Sequence, residues 1–293
     1  MNYQNDLPAA DGVGSGQKAV FTLPIGPLYK EAEFSVSDTA GDSIDNIVDL
    51  IEIILNGKTQ RQHTPRELNH INSLEGSAFA LVNAGTNTTP GNAGYVAMIT
   101  TFFQEPWWKE TYHQELFAWG TGNLSSFQVK FHLAAKAGIA LSGQASVAQS
   151  LVNVNNQQVQ RPLGKIIKVY RNELVITGST QKLKTPFKIP NVDRIHAIHI
   201  DDTDVSKIII RNGRTIIYEK TKQQADSLLL KHDMVPDANW FDVSFDYDNL
   251  PENSLAMDVV DNIPVTDLTI EVQTSDPTPR NIPVLYQVYG QPD

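Results

Sequence analysis

A nine-residue pattern occurs twice in this chain. The first copy runs Ile51-Glu52-Ile53-Ile54-Leu55-Asn56-Gly57-Lys58-Thr59, the second Lys207-Ile208-Ile209-Ile210-Arg211-Asn212-Gly213-Arg214-Thr215. Ile53, Ile54, Asn56, Gly57 and Thr59 recur as Ile209, Ile210, Asn212, Gly213 and Thr215, and Lys58 becomes Arg214. The offset is 156 positions in a chain of 293 residues. A repeat at half the chain length constrains the architecture more than any other feature, because each copy must bury its own apolar face. Asn-Gly between apolar runs is a tight-hairpin signal. After each hairpin a Thr is followed three residues later by Glu or Gln: Thr64 with Glu67, and Thr221 with Gln224. That spacing marks a capped helix start. Each half therefore reads strand, Asn-Gly turn, strand, short helix, and the chain reads as a tandem duplication of one β-rich domain. The first half carries an insertion near Asp38–Asn46.

The remainder agrees with two domains of about 140 residues, each large enough for its own core. The net charge is −10, from 23 cations and 33 carboxylates. No basic run is present to neutralise phosphates, so direct nucleic-acid binding is not expected. Cysteine is absent, which excludes disulfides and thiolate metal sites. Met1–Lys18 is polar and lacks the apolar core of a secretion signal. A location in the cytoplasm and a flexible arm over residues 1–17 are the expectations there.

Strand signals dominate. Phe127–Leu133 and Leu268–Gln273 alternate apolar with polar residues, the mark of strands with one buried face. Residues 18–134 form the first β domain on this reading, 135–164 a linker rich in Ala, Ser, Gln and Asn, and 165–293 the second. Many strands, regular turns and few helices fit a double-sheet sandwich. About eight strands per half fit the jelly roll. The predicted fold is all-β, two tandem eight-stranded jelly rolls with short helices.

Several residue groups could carry chemistry. His196 and His199 form an H-x-x-H pattern, but on a strand that odd spacing points them to opposite faces, which argues against a shared metal. Asp201, Asp202 and Asp204 cluster at a strand end. Ca²⁺ takes six to eight oxygen ligands, so they are calcium candidates, although Asp is also an ordinary turn residue. Asp246 and Asp248 are weaker candidates of the same kind. Trp107 and Trp108, near Phe102, Phe103, Tyr112 and Trp119, could fill a core, anchor a subunit contact or stack on a sugar. Tyr286 and Tyr289 should face opposite sides of the last strand. No Gly-x-Ser-x-Gly elbow is present, and Gly12-Val13-Gly14-Ser15-Gly16 has neither the preceding strand nor the following helix of a phosphate loop. No catalytic residue is assigned.

Four stretches resemble the double jelly-roll major capsid proteins of tailless, membrane-containing icosahedral phages, of the corticovirus type. Thr22–Gly26 with Tyr29 looks like the opening strand and bend, and Ile53–Lys58 like the hairpin before the first short helix. Leu116–Thr121, Leu124–Ser126 and Val129–Phe131 look like the closing strands of the first roll. Ile195–Ile200 with Ile208–Gly213 looks like the corresponding part of the second. Residues 134–160 and the loop 84–94 have no clear counterpart in that pattern. The resemblance implies two rolls side by side, a homotrimer of pseudo-sixfold outline, and trimers tiling an icosahedral capsid over an internal membrane. The implied partners are neighbouring trimers, a vertex (penton) protein, and the viral membrane or its proteins. The implied location is the virion, and the resemblance adds weight to calcium at Asp201, Asp202 and Asp204.

Two other readings remain open on the residues. A carbohydrate-binding or carbohydrate-active two-domain β-sandwich would need Glu105, Glu110 and Glu115 grouped with the Trp107–Trp108 aromatics. A bicupin would need His and Glu ligands converging inside a barrel, and the seven histidines do not repeat between the halves.

Overall fold

The computed structural model describes residues 2–108, 114–148, 151–152, 158–159, 161–184, 193–248, 250–257, 259–260, 263–264 and 268–293. It divides into two compact units, Met1–Ile167 with Gln291–Asp293, and Lys168–Gly290.

In the first unit the strands are β1 (Asn2–Asp6), β2 (Lys18–Thr22), β3 (Leu28–Ser37), β4 (Val48–Leu55), β5 (Lys58–His63), β6 (Val82–Gly85), β7 (Tyr95–Phe102), β8 (Trp119–Gly120), β9 (Phe127–Leu133) and β10 (Ala140–Ala148). Helix α1 (Ile44–Ile47) precedes β4, and α2 (Pro65–Leu74) follows β5. One sheet has the order β1-β10-β3-β7-β6, the other includes β5-β4-β9-β2. Two short strands, β11 (Leu151–Val152) and β12 (Gln158–Val159), pair only with each other among the described residues.

The second unit contains β13 (Ile166–Ile176, starting at the boundary), β14 (Thr180–Lys184), β15 (Arg194–Asp201), β16 (Val205–Asn212), β17 (Thr215–Thr221), α3 (Lys222–Lys231), β18 (Trp240–Ser244), β19 (Leu255–Ala256), β20 (Val259–Val260), β21 (Ile263–Pro264), β22 (Leu268–Thr274) and β23 (Arg280–Gly290). Its sheets run β18-β15-β23-β13 and β14-β22-β16-β17.

Taking the principal strands of each unit in chain order, both units pair first-last-third-sixth in one sheet and second-seventh-fourth-fifth in the other. This is the jelly-roll connection, and it occurs twice. The repeated hairpin is the fourth and fifth strand of each roll, and the repeated helix follows the fifth.

Alternation places the cores. Phe127, Val129, Phe131 and Leu133 of β9 are buried, with polar residues between them. They meet Phe21 from the neighbouring strand β2 and Phe34 from the facing sheet, with ring centroids 5.9 Å (Phe21–Phe131) and 5.0 Å (Phe34–Phe131) apart at steep angles. Leu268, Ile270 and Val272 of β22 play the same part in the second roll, beside Ile208, Ile210, Val284, Tyr286 and Val288. Each such buried side chain contributes about 1.5–3 kcal/mol.

The two hairpins close differently. In the first, Asn56 (φ 50°) and Gly57 (φ 81°) are the two loop residues between paired Leu55 and Lys58, a double left-handed turn that suits Asn-Gly. In the second, Asn212 is still in the ladder opposite Thr215, and Gly213 (φ 57°) with Arg214 makes the loop. Both helices have the reciprocal caps their sequences predict. Glu67 N donates to Thr64 Oγ1 (3.2 Å) and Thr64 N to Glu67 Oε2 (2.6 Å). Gln224 N donates to Thr221 Oγ1 (3.4 Å) and Thr221 N to Gln224 Oε1 (3.0 Å).

Two boundary expectations are corrected. Residues 1–17 are not wholly a free arm: β1 pairs with β10 from Asn2 opposite Ala148 to Asp6 opposite Gln144, and Asp11 bridges Val20. Likewise 135–164 is not wholly a linker, because β10 is the last strand of the first roll, paired along β3. β1 is polar, and the apolar residues of β10 are mostly small. On β10 only Ala145 and Val147 are buried, and β1 lies at a sheet edge, where polar residues are common. Among the described residues, no helix is long and apolar enough to cross a membrane.

Candidate functional site

The polar side chains singled out above fall into three groups. The first joins two loops of the second roll. Asp202 follows β15, and its Oδ1 accepts from Asp204 N at 2.6 Å, the local turn that Asp favours. The guanidinium of Arg280, at the start of β23, donates through Nε to Asp202 Oδ2 (2.6 Å) and through Nη2 to Asp202 Oδ1 (3.0 Å) and Asp204 Oδ2 (3.3 Å). Asp276 stands 3.6 Å from Nη1. Asp202 and the other carboxylates raise the Arg280 pKa, while hydrogen bonds from Thr278 lower that of Asp276. Asp201 ends β15 opposite Trp240 of β18. The structure thus gathers Asp202 and Asp204 around an internal cation. A dication bound between these two carboxylates would have to displace a bidentate guanidinium.

The second group lies on β15 and its neighbours. A register shift between Ile195 and Ala197, against β23, makes His196 the extra residue of a bulge. Ile195, Ile198 and Ile200 face the core. His196 packs on Tyr289 instead, with ring centroids 4.8 Å apart. The bulge overturns the opposite-face expectation: one inserted residue brings His196 to the same outer face as His199. Each has its own carboxylate. His196 Nδ1 contacts Asp246, and His199 Nδ1 lies 2.8 Å from Asp242 Oδ1. Tyr289 Oη donates to Asp246 Oδ2 at 2.9 Å, and Ser254 Oγ donates to the same oxygen at 3.1 Å. Tyr289 Oη also lies 3.0 Å from His196 Nδ1, the same ring nitrogen that meets Asp246, whereas a hydrolytic triad needs its hydroxyl and its carboxylate on opposite nitrogens of the imidazole. All six side chains are buried. Tyr286, by contrast, faces the core, so the expected division of the two tyrosines holds, and burial raises its pKa. Asp248 accepts from Asn253 Nδ2 at 2.6 Å and serves its own loop.

The third group is aromatic. Phe79, Phe102 and Trp107 meet edge to face, with centroids 5.5–5.7 Å apart. Trp108 is buried against Phe117. Trp119 is fully buried at 4.8 Å from Phe103, and the Arg61 guanidinium lies over its ring at 5.0 Å. Phe103, Trp108, Phe117 and Trp119 are buried, and half-buried Phe79, Phe102 and Trp107 pack on one another edge to face rather than forming a row of open ring faces. Glu105 is buried and Glu115 pairs with Lys30, while Glu110 and Tyr112 lie outside the described residues.

Sequence reasoning missed the buried cations. Arg61 donates to Ile167 O (2.7 Å) and Phe102 O (2.5 Å), and burial lowers its pKa to about 10. Lys168 meets Asp193 at 2.6 Å with both side chains almost wholly buried. A Cβ on Gly290 would sit 2.2 Å from the Asp193 carboxyl carbon, so the close approach requires glycine there. Only Arg and Lys within otherwise strand-like stretches signal these positions, and that signal does not separate buried from exposed cations.

Two jelly rolls of identical strand order, whose polar clusters brace loops and strands, define the class of the double jelly-roll capsid proteins. Solved structures of this fold extend over nearly the whole chain. The major capsid protein P2 of bacteriophage PM2 has a TM-score of 0.78 at 19% identity, covering 99% of this chain and 97% of that one. Sulfolobus Turreted Icosahedral Virus gives 0.65 at 12%, covering 100% and 91%. The PBCV-1 virus capsid gives 0.62 at 9%, covering 99% and 93%. No curated protein matches the chain by sequence.

Residues 4–148 match the model of the viral coat protein P2 N-terminal domain, and residues 166–292 that of its C-terminal domain. The chain belongs to the viral coat protein P2 family. It is a capsid protein of a virion, with a structural rather than enzymatic role.

Proposed function

We propose that the chain forms homotrimers of pseudo-hexagonal outline that tile the icosahedral shell of a membrane-containing bacteriophage. The observation that carries this is the duplicated strand order. A sixfold lattice position needs six similar lateral faces, and three chains of two similar rolls supply them around one closed axis. Structures from an icosahedral virus and from a virus capsid share the fold. Neighbouring trimers, a vertex protein and the underlying membrane or its proteins are the partners on this reading. Nucleic acid is not one, because the chain carries a net charge of −10 and no basic run in its sequence.

Native mass by light scattering tests the trimer. The expected value is three times the 32.5 kDa of one chain, and a stable monomer at all working concentrations would overturn it. The same measurement with a chelator tests calcium at Asp201, Asp202 and Asp204. Loss of mass on chelation and recovery with Ca²⁺ would support an ion that holds subunits together, and an unchanged trimer would leave Arg280 as the cation of that loop.

A further inference from the structure

The duplicated rolls differ in burial at the fifth strand and the helix after it. In the first roll Gln60, Arg61 and His63 of β5 are buried, and so are seven of the ten α2 residues. The segment after α2 returns over it: Leu81 N donates to Asn69 Oδ1 at 2.6 Å. In the second roll α3 has the same capping box and the same place in the fold, but only Ala225 and Leu229 are buried. The chain passes from α3 to β18 in eight residues, His232 to Asn239, with no segment to spare for a cover. Leu230 is 61% exposed and Ile216 of β17 is 45% exposed. Between β17 and α3 runs a groove of about 460 Å³ whose lining includes Glu219, Lys220, Gln224, Ser227, Leu228 and Lys231. β17 is also the last strand of its sheet order, an edge that proteins normally protect.

The charge of this surface indicates its occupant. Residues 213–231 carry four cations and two carboxylates in a chain of net −10. Both carboxylates are already paired, Glu219 with Lys207 at 2.6 Å and Asp226 with Lys222 at 2.7 Å. Arg214, Lys220 and Lys231 have no carboxylate within ion-pair distance among the described residues. Copies of so acidic a chain repel one another except where a basic surface meets an acidic one. We infer that the β17–α3 face of the second roll docks against a second copy of this chain within the trimer. This rests on the homotrimer reading and deepens it.

Two variants test the contact. Lys220→Glu with Lys231→Glu reverses charge on exposed or half-buried positions and should leave the melting temperature of the folded chain near that of the wild type while reducing the native mass from trimer to monomer. The chain has no cysteine, so Leu230→Cys supplies a single thiol. Its maleimide labelling should be at least about 10-fold slower in the trimer than in the charge-reversed background, because thiol reactivity follows access. A charge-reversed chain that remains trimeric, or a thiol equally reactive in both backgrounds, would overturn the inference and leave the trimer standing. Protection seen only in particles carrying another viral protein would assign the face to that protein and overturn it too. A wild-type chain that never trimerises would remove both readings.

Discussion

His63 shows how its surroundings in the fold set the chemistry of a side chain. It lies at the end of β5, 1% exposed. Loss of water, and then the charge of Arg61, depress its pKa from 6.5 to about 3. Between those values the unfolded chain takes up a proton that the folded chain refuses. Stability is therefore unaffected by His63 above pH 6.5 and falls as the pH drops from there toward 3. Replacing His63 with Leu should remove this dependence, flattening the acid side of the profile by up to about 1.4 kcal/mol per pH unit. Urea midpoints at pH 7, 6, 5 and 4 would show it, and parallel profiles for the two proteins would refute it. Nothing in the local sequence Gln60-Arg61-Gln62-His63 announces this burial. It follows from the position of β5 in the folded roll, as does the burial of Arg61 under Trp119 and Phe103.

At the scale of elements, the first hairpin is held by more than its turn type. Asn56 Oδ1 accepts from Ser125 N (2.8 Å), Ser125 Oγ (2.9 Å) and Ser126 N (3.2 Å), tying the turn to the loop before β9. Asn56→Ala should lose both the left-handed conformation and these bonds, costing on the order of 2 kcal/mol. Asn56→Gly keeps the conformation and loses only the bonds, so its cost should be clearly smaller. Equal losses in chemical denaturation would mean that the backbone conformation contributes nothing.

The hairpins, the capped helices and the alternating strands were legible in sequence because their signals are local. The bulge at His196 was not, since an inserted residue is visible only against the partner strand β23. The pairing of Asp202 and Asp204 with Arg280 was equally hidden, because 78 and 76 positions separate the partners.

For the whole molecule, the corrected ends of the first roll carry the clearest consequence. Deleting residues 1–17 removes β1, its five paired positions with β10 and the bridge from Asp11 to Val20. It would also strip the cover from a second edge strand. The expected outcome is a melting temperature at least about 5 °C lower, given that each kcal/mol moves a domain of this size by a few degrees. Cleavage within the first roll during limited proteolysis should also be faster. An unchanged melting curve would show that the roll does not need its first strand.

The duplication, the all-β class and the resemblance to capsid proteins were determined by sequence alone, because repeated turns, caps and alternation are written within a few residues of one another. Where each roll begins and ends was decided by tertiary structure. β1 and β10 are recognisable as strands only through their pairing with each other and with β3. The same holds for the fate of the charged residues. A carboxylate or imidazole in a chain of letters is a candidate ligand, and only the fold decides whether its partner is solvent, an ion or another side chain.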